Sequence, residues 1–382
     1  MEAASLHIVN VRARQAASAR TCHRHFACVG RTDAPRANAI FLAVGRTLRP
    51  AFYNSHCPLT LVFRAWTSPP CFDHNRSMSN PGARNAENCM AEPTCHVPVM
   101  LAEIIEQLAP QPGQVIVDGT LGGGGHTRAL AERVGPHGLV ISLDRDPVEL
   151  ERGAAALAGL PVKLVESNFC DLPEVLEQLE IPAVDGIVLD LGLSSDQLAD
   201  RQRGFSFDSA GPLDLRFNPD EGEPAARLVN RLSAEHLADL IFNFGEERYS
   251  RRIAKAIVER RRTRPIETSA DFAELVRRSV PRPKPGDRID PATRTFQALR
   301  IWVNAELKSL EIALRRLPNC LRPGGRLAII SFHSLEDRPV KEAFRQNESL
   351  EVLTRKPIRP SVEEVAANPR SRSAKLRVAQ RI

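Results

Sequence analysis

Apolar and polar positions follow two different periods from Val99 to Leu191, which predicts strands alternating with helices. Short apolar runs typical of buried strands occur at Gln114–Asp118, Gly138–Leu143, Val162–Glu166 and Val184–Asp190. Helical spacing lies between them, at Val99–Leu108, His126–Val134, a segment starting at Pro147, and Leu172–Leu179. This rhythm is typical of a parallel sheet covered by helices on both faces.

The rhythm changes after Leu191. Helical patterns without a convincing strand continue through Ser233–Phe242, Glu246–Arg262 and Ser269–Ser279, before a loop at Pro281–Pro291. A single long helix is predicted over Ala292–Leu317, then a strand at Arg326–Ser331 and a helix from Leu335. The sequence thus predicts an α/β core in two parts, residues 91–204 and 296–382 with a basic tail, interrupted by a helical insertion at 205–295.

Composition fits a soluble globular protein of about two structural units: the chain has 382 residues, of which 42% are hydrophobic and 26% charged. No run approaches the roughly 18–20 uncharged apolar residues of a membrane helix, so we expect no membrane span. Six of the eight cysteines precede residue 96. Cys170 and Cys320 are too few for a disulfide framework, which indicates the reducing cytoplasm.

Residues 1–90 form a segment of distinct composition and no sustained period. Residues 1–89 hold 11 Arg and no Lys against four acidic residues, a net charge of +7, whereas the remainder holds 41 basic and 42 acidic residues. We predict a poorly ordered extension, explained by a mis-assigned start before Met78 or Met90, by an organellar transit peptide, or by a functional arm. Cys22, His23, His25 and Cys28 lack a second ligand pair, so we predict no metal site.

A glycine-rich loop follows the first strand, with the pattern D-x-x-x-G-x-G from Asp118 through Gly122 to Gly124. Glycines let the backbone approach a ligand closely. Thr127 occupies the third glycine position of the dinucleotide fingerprint, and no GK[ST] sequence follows, so neither that fingerprint nor a P-loop is complete. The loop is therefore either a nucleotide-binding turn or a turn needed only for packing.

The ends of the second and third strands carry candidate nucleotide contacts. Asp144 ends the second strand, where an acid accepts hydrogen bonds from ribose hydroxyls, and Asp146 precedes Pro147 as an N-cap. Phe169 follows the third strand and either flanks an adenine ring or packs in the core. The fourth strand ends at Asp190, and the loop to Gln197 offers small polar groups and one carboxylate where ligands of open α/β sheets bind.

Several segments resemble the RsmH (MraW) family, which methylates N4 of a cytidine in the decoding region of small-subunit ribosomal RNA. They are His96–Val99, Asp118–His126, Asp144–Pro147, Asp190–Ser195, Arg203–Phe207, Gly211–Arg216, Arg294–Arg300, Ser331–Arg338 and Asn368–Val378. The resemblance covers about residues 95–382. It implies a Rossmann-like, class I S-adenosylmethionine-dependent methyltransferase with an inserted all-helical domain.

The resemblance also implies the binding residues. Cofactor contacts are expected at Gly124, Gly125, His126, Asp144, Phe169, Asp190 and Gln197. Asp196 stands where the family usually has proline, a difference that would loosen the loop carrying Gln197. Asp190, Ser194 and Ser195 are the candidate catalytic residues: Asp190 or a loop carbonyl would accept an N–H of the amine, and the serines would orient the base. The alternative is that Asp190 only anchors the cofactor or the loop.

A cytidine in folded RNA must be exposed or flipped to reach such a site, and we expect the partner to be ribosomal RNA in an assembled or nearly assembled small subunit. Basic side chains that would contact phosphates occur in the insertion and the tail: Arg251, Arg252, Lys255, Arg260, Arg261, Arg262, Arg264, Arg370, Arg372, Lys375 and Arg377. The insertion set alternatively forms a solvated face, and the set from Arg370 to Arg377 alternatively contacts the cofactor-side loops. His333, Glu336 and Asp337 either face the cleft or cap the next helix.

Two other functions remain open at the level of sequence. A DNA amino-methyltransferase would carry prolines after the fourth strand, and Asp190 to Ser195 contain none. A non-catalytic ribosome-assembly factor would keep the fold only to bind RNA, and the intact glycine loop and Asp144 argue against it. The pattern leaves the oligomeric state undecided.

Overall fold

The computed structural model describes residues 9–10, 97–207, 210–282 and 290–382. The strands in these ranges are β1 (Val9–Asn10), β2 (Val115–Asp118), β3 (Leu139–Asp144), β4 (Val162–Glu166), β5 (Val184–Asp190), β6 (Leu321–Ser331), β7 (Leu350–Val352) and β8 (Lys375–Arg381). The helices are α1 (Leu101–Leu108), α2 (Gly125–Val134), α3 (Pro147–Ala156), α4 (Leu172–Gln178), α5 (Ser195–Ala199), α6 (Ala225–Arg231), α7 (Ala234–Gly245), α8 (Ser250–Arg261), α9 (Ser269–Ser279), α10 (Thr293–Asn304), α11 (Glu306–Arg316), α12 (Ser334–Gln346) and α13 (Val362–Ala367).

The strands form one sheet in the order β1-β4-β3-β2-β5-β6-β8-β7. The strands from β1 to β6 pair in parallel, whereas β8 pairs antiparallel with both β6 and β7. The order reverses between β2 and β5, so a crevice forms beyond the carboxyl ends of the strands. The predicted Rossmann-like α/β fold is confirmed.

The two faces of the sheet are covered by separate helix layers because successive strand residues point to opposite sides. Val117 and Ile187 pack on one face with helices α4, α11 and α12. Ile116 and Val188 pack on the other face with α1, α2 and α3. Both layers hold the carboxyl ends of β2, β3, β5 and β6 at a single edge.

A third apolar core lies among helices α6 to α10, with Phe272 at its centre and Phe205 and Phe296 at its margin. The described residues between α5 and α10 contain no strand. These helices contact the sheet domain through loops and through α10. The boundaries of the insertion at 205 and 295 stay a prediction.

Three elements differ from the sequence prediction. The helix predicted over Ala292–Leu317 is two helices, α10 and α11, separated at Ala305, whose φ of 50° is left-handed. The strand predicted at Arg326–Ser331 begins earlier, at Leu321. The tail contains β7, α13 and β8, which the sequence analysis did not predict.

Of the predicted extension, the structure describes only Val9–Asn10, which lie parallel to β4 at the edge of the sheet. The rest of residues 1–90, including the Cys22 to Cys28 cluster, lies outside the described residues. Among the described helices, none combines the length and the apolar character that a membrane crossing needs.

Candidate active site

A cleft of about 490 Å³ opens at the carboxyl ends of β2, β3, β5 and β6. The glycine-rich loop, the end of β3 and the start of the segment after β4 line one end of it. Side chains of the insertion, the start of α12 and the tail segment line the other end. This volume lies within the usual range of about 300–1,000 Å³ for small-molecule sites.

The glycine-rich loop brings bare backbone to the cleft. Gly119, Gly122 and Gly125 line it, and a Cβ at Gly119 would overlap the side chain of Leu189. Gly124 does not line the cleft: it is the left-handed N-cap of α2, with φ of 76°. Gly124 thus starts the helix, and its expected contact with the cofactor stays a prediction.

A network of buried hydrogen bonds supports the glycine-rich loop. Asp118 Oδ2 accepts a hydrogen bond of 2.7 Å from Thr127 Oγ, and Thr127 Oγ lies 2.8 Å from Ser142 Oγ. The Thr120 backbone N–H donates to Asp118 Oδ1 at 3.1 Å. Burial raises the pKa of Asp118 to about 7, against the opposing effect of these hydrogen bonds. Thr127, which breaks the dinucleotide fingerprint, therefore has a structural role of its own.

Asp144 lies at the end of β3 and lines the cleft, as predicted for a ribose contact. Its Oδ2 accepts the Gly122 N–H at 3.0 Å, and its Oδ1 accepts the Asp146 N–H at 2.9 Å. Burial raises the pKa of Asp144 to about 6. Each carboxylate oxygen has two lone pairs, so Asp144 retains capacity for two hydroxyl donors from a ligand.

Asp146 caps α3, as predicted, and also holds the loop after β5. Its Oδ1 accepts the Val148 N–H at 3.1 Å, and Gln197 Nε2 donates to its Oδ2 at 3.0 Å. Gln197 Oε1 in turn accepts the Ser194 N–H at 3.1 Å. Asp196 therefore does not leave Gln197 unanchored, because a capping box and Asp146 fix that side chain.

Asp190 ends β5 and lines the centre of the cleft. Its backbone N–H donates to Thr120 Oγ at 2.7 Å. Its Oδ1 is buried and has no hydrogen-bond partner among the described residues. Burial, followed by the charges of Asp118 and Glu336, raises the pKa of Asp190 well above its ordinary value, and the charge of Arg370 opposes this.

His126 and Phe169 lie where the resemblance implied. The Nε2–H of His126 donates to the Val99 carbonyl at 3.0 Å, and its Nδ1 lies 3.9 Å from Asp190 Oδ2. Phe169 is half-buried, lines the cleft and also packs on one of the sheet cores. The two readings of Phe169, ring contact and core packing, are thus compatible.

The two candidate catalytic serines already have hydrogen-bond partners. Ser194 Oγ donates to Glu149 Oε1 at 3.0 Å and accepts the Gln197 N–H at 3.0 Å, so it caps α5. Ser195 Oγ accepts a hydrogen bond from the Arg370 guanidinium. Among the three candidates, Asp190 is the one that presents a buried oxygen without a hydrogen-bond partner.

The insertion supplies an aromatic wall to the cleft, which the sequence analysis missed. Phe205, Phe207, Phe217 and Phe296 all line it. The rings of Phe205 and Phe217 stack with centroids 5.8 Å apart, and those of Phe207 and Phe296 meet edge-on at 4.8 Å. Flat apolar walls of this kind suit a ring-shaped ligand.

Comparison with known proteins decides the family. The model of the MraW methylase family matches residues 93–382. A protein of Syntrophotalea carbinolica named ribosomal RNA small subunit methyltransferase H is 50% identical over 307 residues, covering 75% of this chain and 98% of the relative. A protein of the same name from Deinococcus deserti is 52% identical over 293 residues, covering 76% and 95%.

The chain belongs to the MraW methylase family. Membership fits a cleft built at the strand ends of a Rossmann-like sheet, and it confirms the resemblance seen in the sequence motifs. The matched region includes every described residue that lines the cleft.

Solved structures give weaker similarity. A putative rRNA-methylase of Clostridium thermocellum has a TM-score of 0.38 at 13% identity, covering 75% of this chain and 99% of that chain. A putative methyltransferase of Streptococcus mutans in complex with SAH has a TM-score of 0.37 at 10% identity, covering 75% and 99%. The Rossmann-like fold of this member of the MraW methylase family is shown by its own strand order.

Some of the basic side chains predicted to contact phosphates are exposed, whereas others bond to groups of the protein. Arg251 and Arg252 are exposed on α8, whereas Arg261 donates to the Val229 carbonyl at 2.7 Å. Lys375 and Arg377 lie in β8 and bind Asp337, with distances of 3.1 and 2.7 Å. Both side chains therefore pair with α12, and a contact of Lys375 or Arg377 with RNA stays a prediction. The Asp337 carboxylate accordingly binds the two basic side chains of β8.

Proposed function

We propose that this chain transfers a methyl group from S-adenosylmethionine to N4 of a cytidine in the decoding region of small-subunit ribosomal RNA. The observation that supports this most is the buried Asp190 Oδ1, which lacks a hydrogen-bond partner among the described residues and belongs to a residue that lines the same cleft as the glycine loop and the aromatic wall. A buried oxygen without a donor is costly unless a ligand supplies one. An amine N–H is such a donor.

The residues at the loop end of the cleft fit the cofactor. Asp144 offers acceptors for the two ribose hydroxyls, and the half-buried ring of Phe169 offers a face for the adenine. Asp144 has a raised pKa, so a positively charged ligand lowers the cost of its ionisation. Gly119, Gly122 and Gly125 line the cleft and carry no side chain that would enter it.

When bound, S-adenosylmethionine supplies a methyl group whose carbon–sulfur bond breaks toward sulfur as the attacking nitrogen forms its bond to carbon. The cytosine amine is a poor nucleophile because its lone pair is delocalised into the ring. The Asp190 carboxylate accepts one N–H and turns that lone pair toward the methyl carbon. Alignment of this kind provides much of the rate in proximity-driven reactions.

Asp190 also receives the proton that the amine loses after the new bond forms. Its raised pKa gives the carboxylate more affinity for that proton than an exposed aspartate has. The proton then leaves when the product dissociates and water enters the cleft. His126 Nδ1 lies 3.9 Å from Asp190 Oδ2, too far for a hydrogen bond.

The far end of the cleft receives the base. A cytidine that leaves its stack regains contact area against the rings of Phe205, Phe207, Phe217 and Phe296. The exposed cations Arg251, Arg252 and Lys255 on α8 bind the phosphates around it. The partner is ribosomal RNA of an assembled or nearly assembled small subunit, and the site of action is the cytoplasm.

The experiment compares acceptors directly. Full-length protein is incubated with S-adenosylmethionine labelled in the methyl group and with unmethylated small ribosomal subunits, or with double-stranded DNA. We expect label in the small-subunit RNA alone. Label in DNA would instead support the alternative that the protein is a DNA amino-methyltransferase. Binding to the subunits without transfer would support a ribosome-assembly factor.

A further inference from the structure

His333 lies at the far end of the cleft and has no role in the function proposed above. It follows the end of β6, one strand away from Asp190. In the pairing of β5 and β6, Asp190 is opposite Ile330, and the Leu191 N–H donates to the Ile330 carbonyl at 3.1 Å. Neighbouring strands are about 4.8 Å apart, so residues just beyond these two strand ends face the same crevice.

Glu336 fixes the orientation of the His333 ring. Nε2 of His333 lies 3.0 Å from Glu336 Oε1, and the Phe332 N–H donates to Glu336 Oε2 at 2.9 Å. Burial raises the pKa of Glu336, but the neighbouring His333 and the charge of Arg300 outweigh it and hold this pKa below its usual range. Glu336 therefore presents an ionised oxygen to Nε2, which favours the tautomer with its hydrogen on that nitrogen.

In that tautomer the second ring nitrogen is an acceptor. This second nitrogen, Nδ1, is buried and has no hydrogen-bond partner among the described residues. The side chain is 14% exposed, and it lines the same cleft as Asp190. The cleft thus holds two buried acceptor atoms, Asp190 Oδ1 and His333 Nδ1, that have no hydrogen-bond partner among the described residues.

An exocyclic amine has two N–H hydrogens. Two acceptors therefore hold the amine in a fixed orientation, whereas a single acceptor leaves it free to rotate. We propose that His333, oriented by Glu336, accepts the second N4–H of the target cytosine while Asp190 accepts the first. This inference rests on the proposed function. The two acceptors also select cytosine over uracil. Uracil has a carbonyl oxygen in place of the amine, and that oxygen would face both acceptors without a hydrogen to donate.

Two substitutions separate the acceptor from the contact with Glu336. His333→Gln keeps a donor toward Glu336 and loses the acceptor at the Nδ1 position. His333→Asn places an amide oxygen near the Nδ1 position and restores the acceptor. His137, exposed in the turn before β3 and at the opposite end of the strands, provides the control His137→Gln.

Turnover is measured with saturating small subunits, and affinity for S-adenosylhomocysteine by calorimetry. We expect H333Q to lower kcat about 100-fold with unchanged affinity for S-adenosylhomocysteine, and H333N to regain about tenfold of that loss. H137Q should match the wild type. If H333Q does not fold, as judged by thermal unfolding, H333N decides: turnover within about tenfold of the wild type supports the proposal, and a larger loss overturns it.

Wild-type turnover in H333Q would overturn the inference, and so would a loss of S-adenosylhomocysteine affinity as large as the loss of kcat. Neither result bears on the proposed function, which fails only if the wild-type protein itself places no label in the cytidines of small-subunit RNA. The two failures are therefore distinguishable in one set of reactions.

Discussion

Arg203 Nη2 lies 2.9 Å from Asp146 Oδ2, and both side chains are almost fully buried. The same guanidinium donates to the carbonyls of Arg216 at 2.9 Å and Phe217 at 2.5 Å. Arg203 thus ties the loop that carries the aromatic wall to the residue that caps α3 and holds Gln197. The two ends of the cleft depend on one buried ion pair.

Replacing Arg203 with Met should destabilise the protein and weaken cofactor binding together. Breaking a buried ion pair by removing one partner costs about 3–5 kcal/mol, because the remaining charge is left in the interior. Urea unfolding followed by circular dichroism measures the loss. Arg227→Met is the control, since Arg227 is 74% exposed, and we expect a change within about 0.5 kcal/mol. Equal stability of the two variants would contradict this role for Arg203.

Replacing Asp190 with Asn should lower turnover about 100-fold while leaving affinity for S-adenosylmethionine nearly unchanged. The amide is isosteric but does not take up a proton from the amine. Single-turnover methylation and equilibrium binding are measured on the same preparation, with Asp239→Asn, exposed on α7, as the control. Unchanged turnover would exclude a catalytic role. Loss of affinity alone would make Asp190 a cofactor ligand.

Stability should fall as the pH rises from about 5 to about 8. The folded-state pKa of Asp118 is about 7 against an ordinary 3.8, so the folded protein binds a proton in this interval that the unfolded chain has released. That stabilising contribution is complete below the unfolded pKa and is lost as the pH passes about 7. Asp118→Asn should flatten the profile of unfolding free energy against pH. Parallel profiles for the two proteins would show that Asp118 does not cause the slope.

Affinity for S-adenosylhomocysteine should weaken about tenfold between pH 7 and pH 5, because the ionised form of Asp144 accepts the ribose hydroxyls best. The pKa of Asp144 in the free protein is about 6, so binding near that pH releases protons. Calorimetry in two buffers of different ionisation enthalpy counts them. D144N should bind weakly with little pH dependence, whereas D239N should follow the wild type. Proton uptake on binding would contradict the assignment.

The strands were predictable from the sequence because buried parallel strands appear as continuous apolar runs. The polar residues that end these runs then marked the ends of the strands. The predicted Val162–Glu166 and Val184–Asp190 agree with β4 and β5, and Asp144 and Asp190 lie in the cleft as expected. The role of Ser194 was also readable, since Ser194-x-x-Gln197 is a capping-box pattern. The sequence analysis assigned that serine to chemistry instead.

The break between α10 and α11 had no local signal. Ala305 is a strong helix former, and apolar spacing continues past it. The helix ends there because Asn304 Nδ2 donates to the Leu215 carbonyl at 2.7 Å and Asn304 Oδ1 accepts the Phe217 N–H at 2.8 Å. These are tertiary contacts to a segment nearly ninety residues away, which no local pattern predicts.

The tail and the aromatic wall show the same limit. In β8, charged Lys375 and Arg377 alternate with apolar Leu376 and Val378, and this period of two indicates a strand, but the basic run suggested an RNA contact. The partner of both cations, Asp337, is about forty residues away in sequence. The phenylalanines of the insertion look like core residues in the sequence, and only the fold shows that they also face the cleft.

The measurement that tests the central claim most directly is the identity of the methylated nucleoside. Small subunits lacking the modification are incubated with the full-length protein and labelled S-adenosylmethionine, and their RNA is digested and analysed by chromatography with mass spectrometry. The account predicts label in N4-methylcytidine from the decoding region. Label confined to any other nucleoside would contradict it.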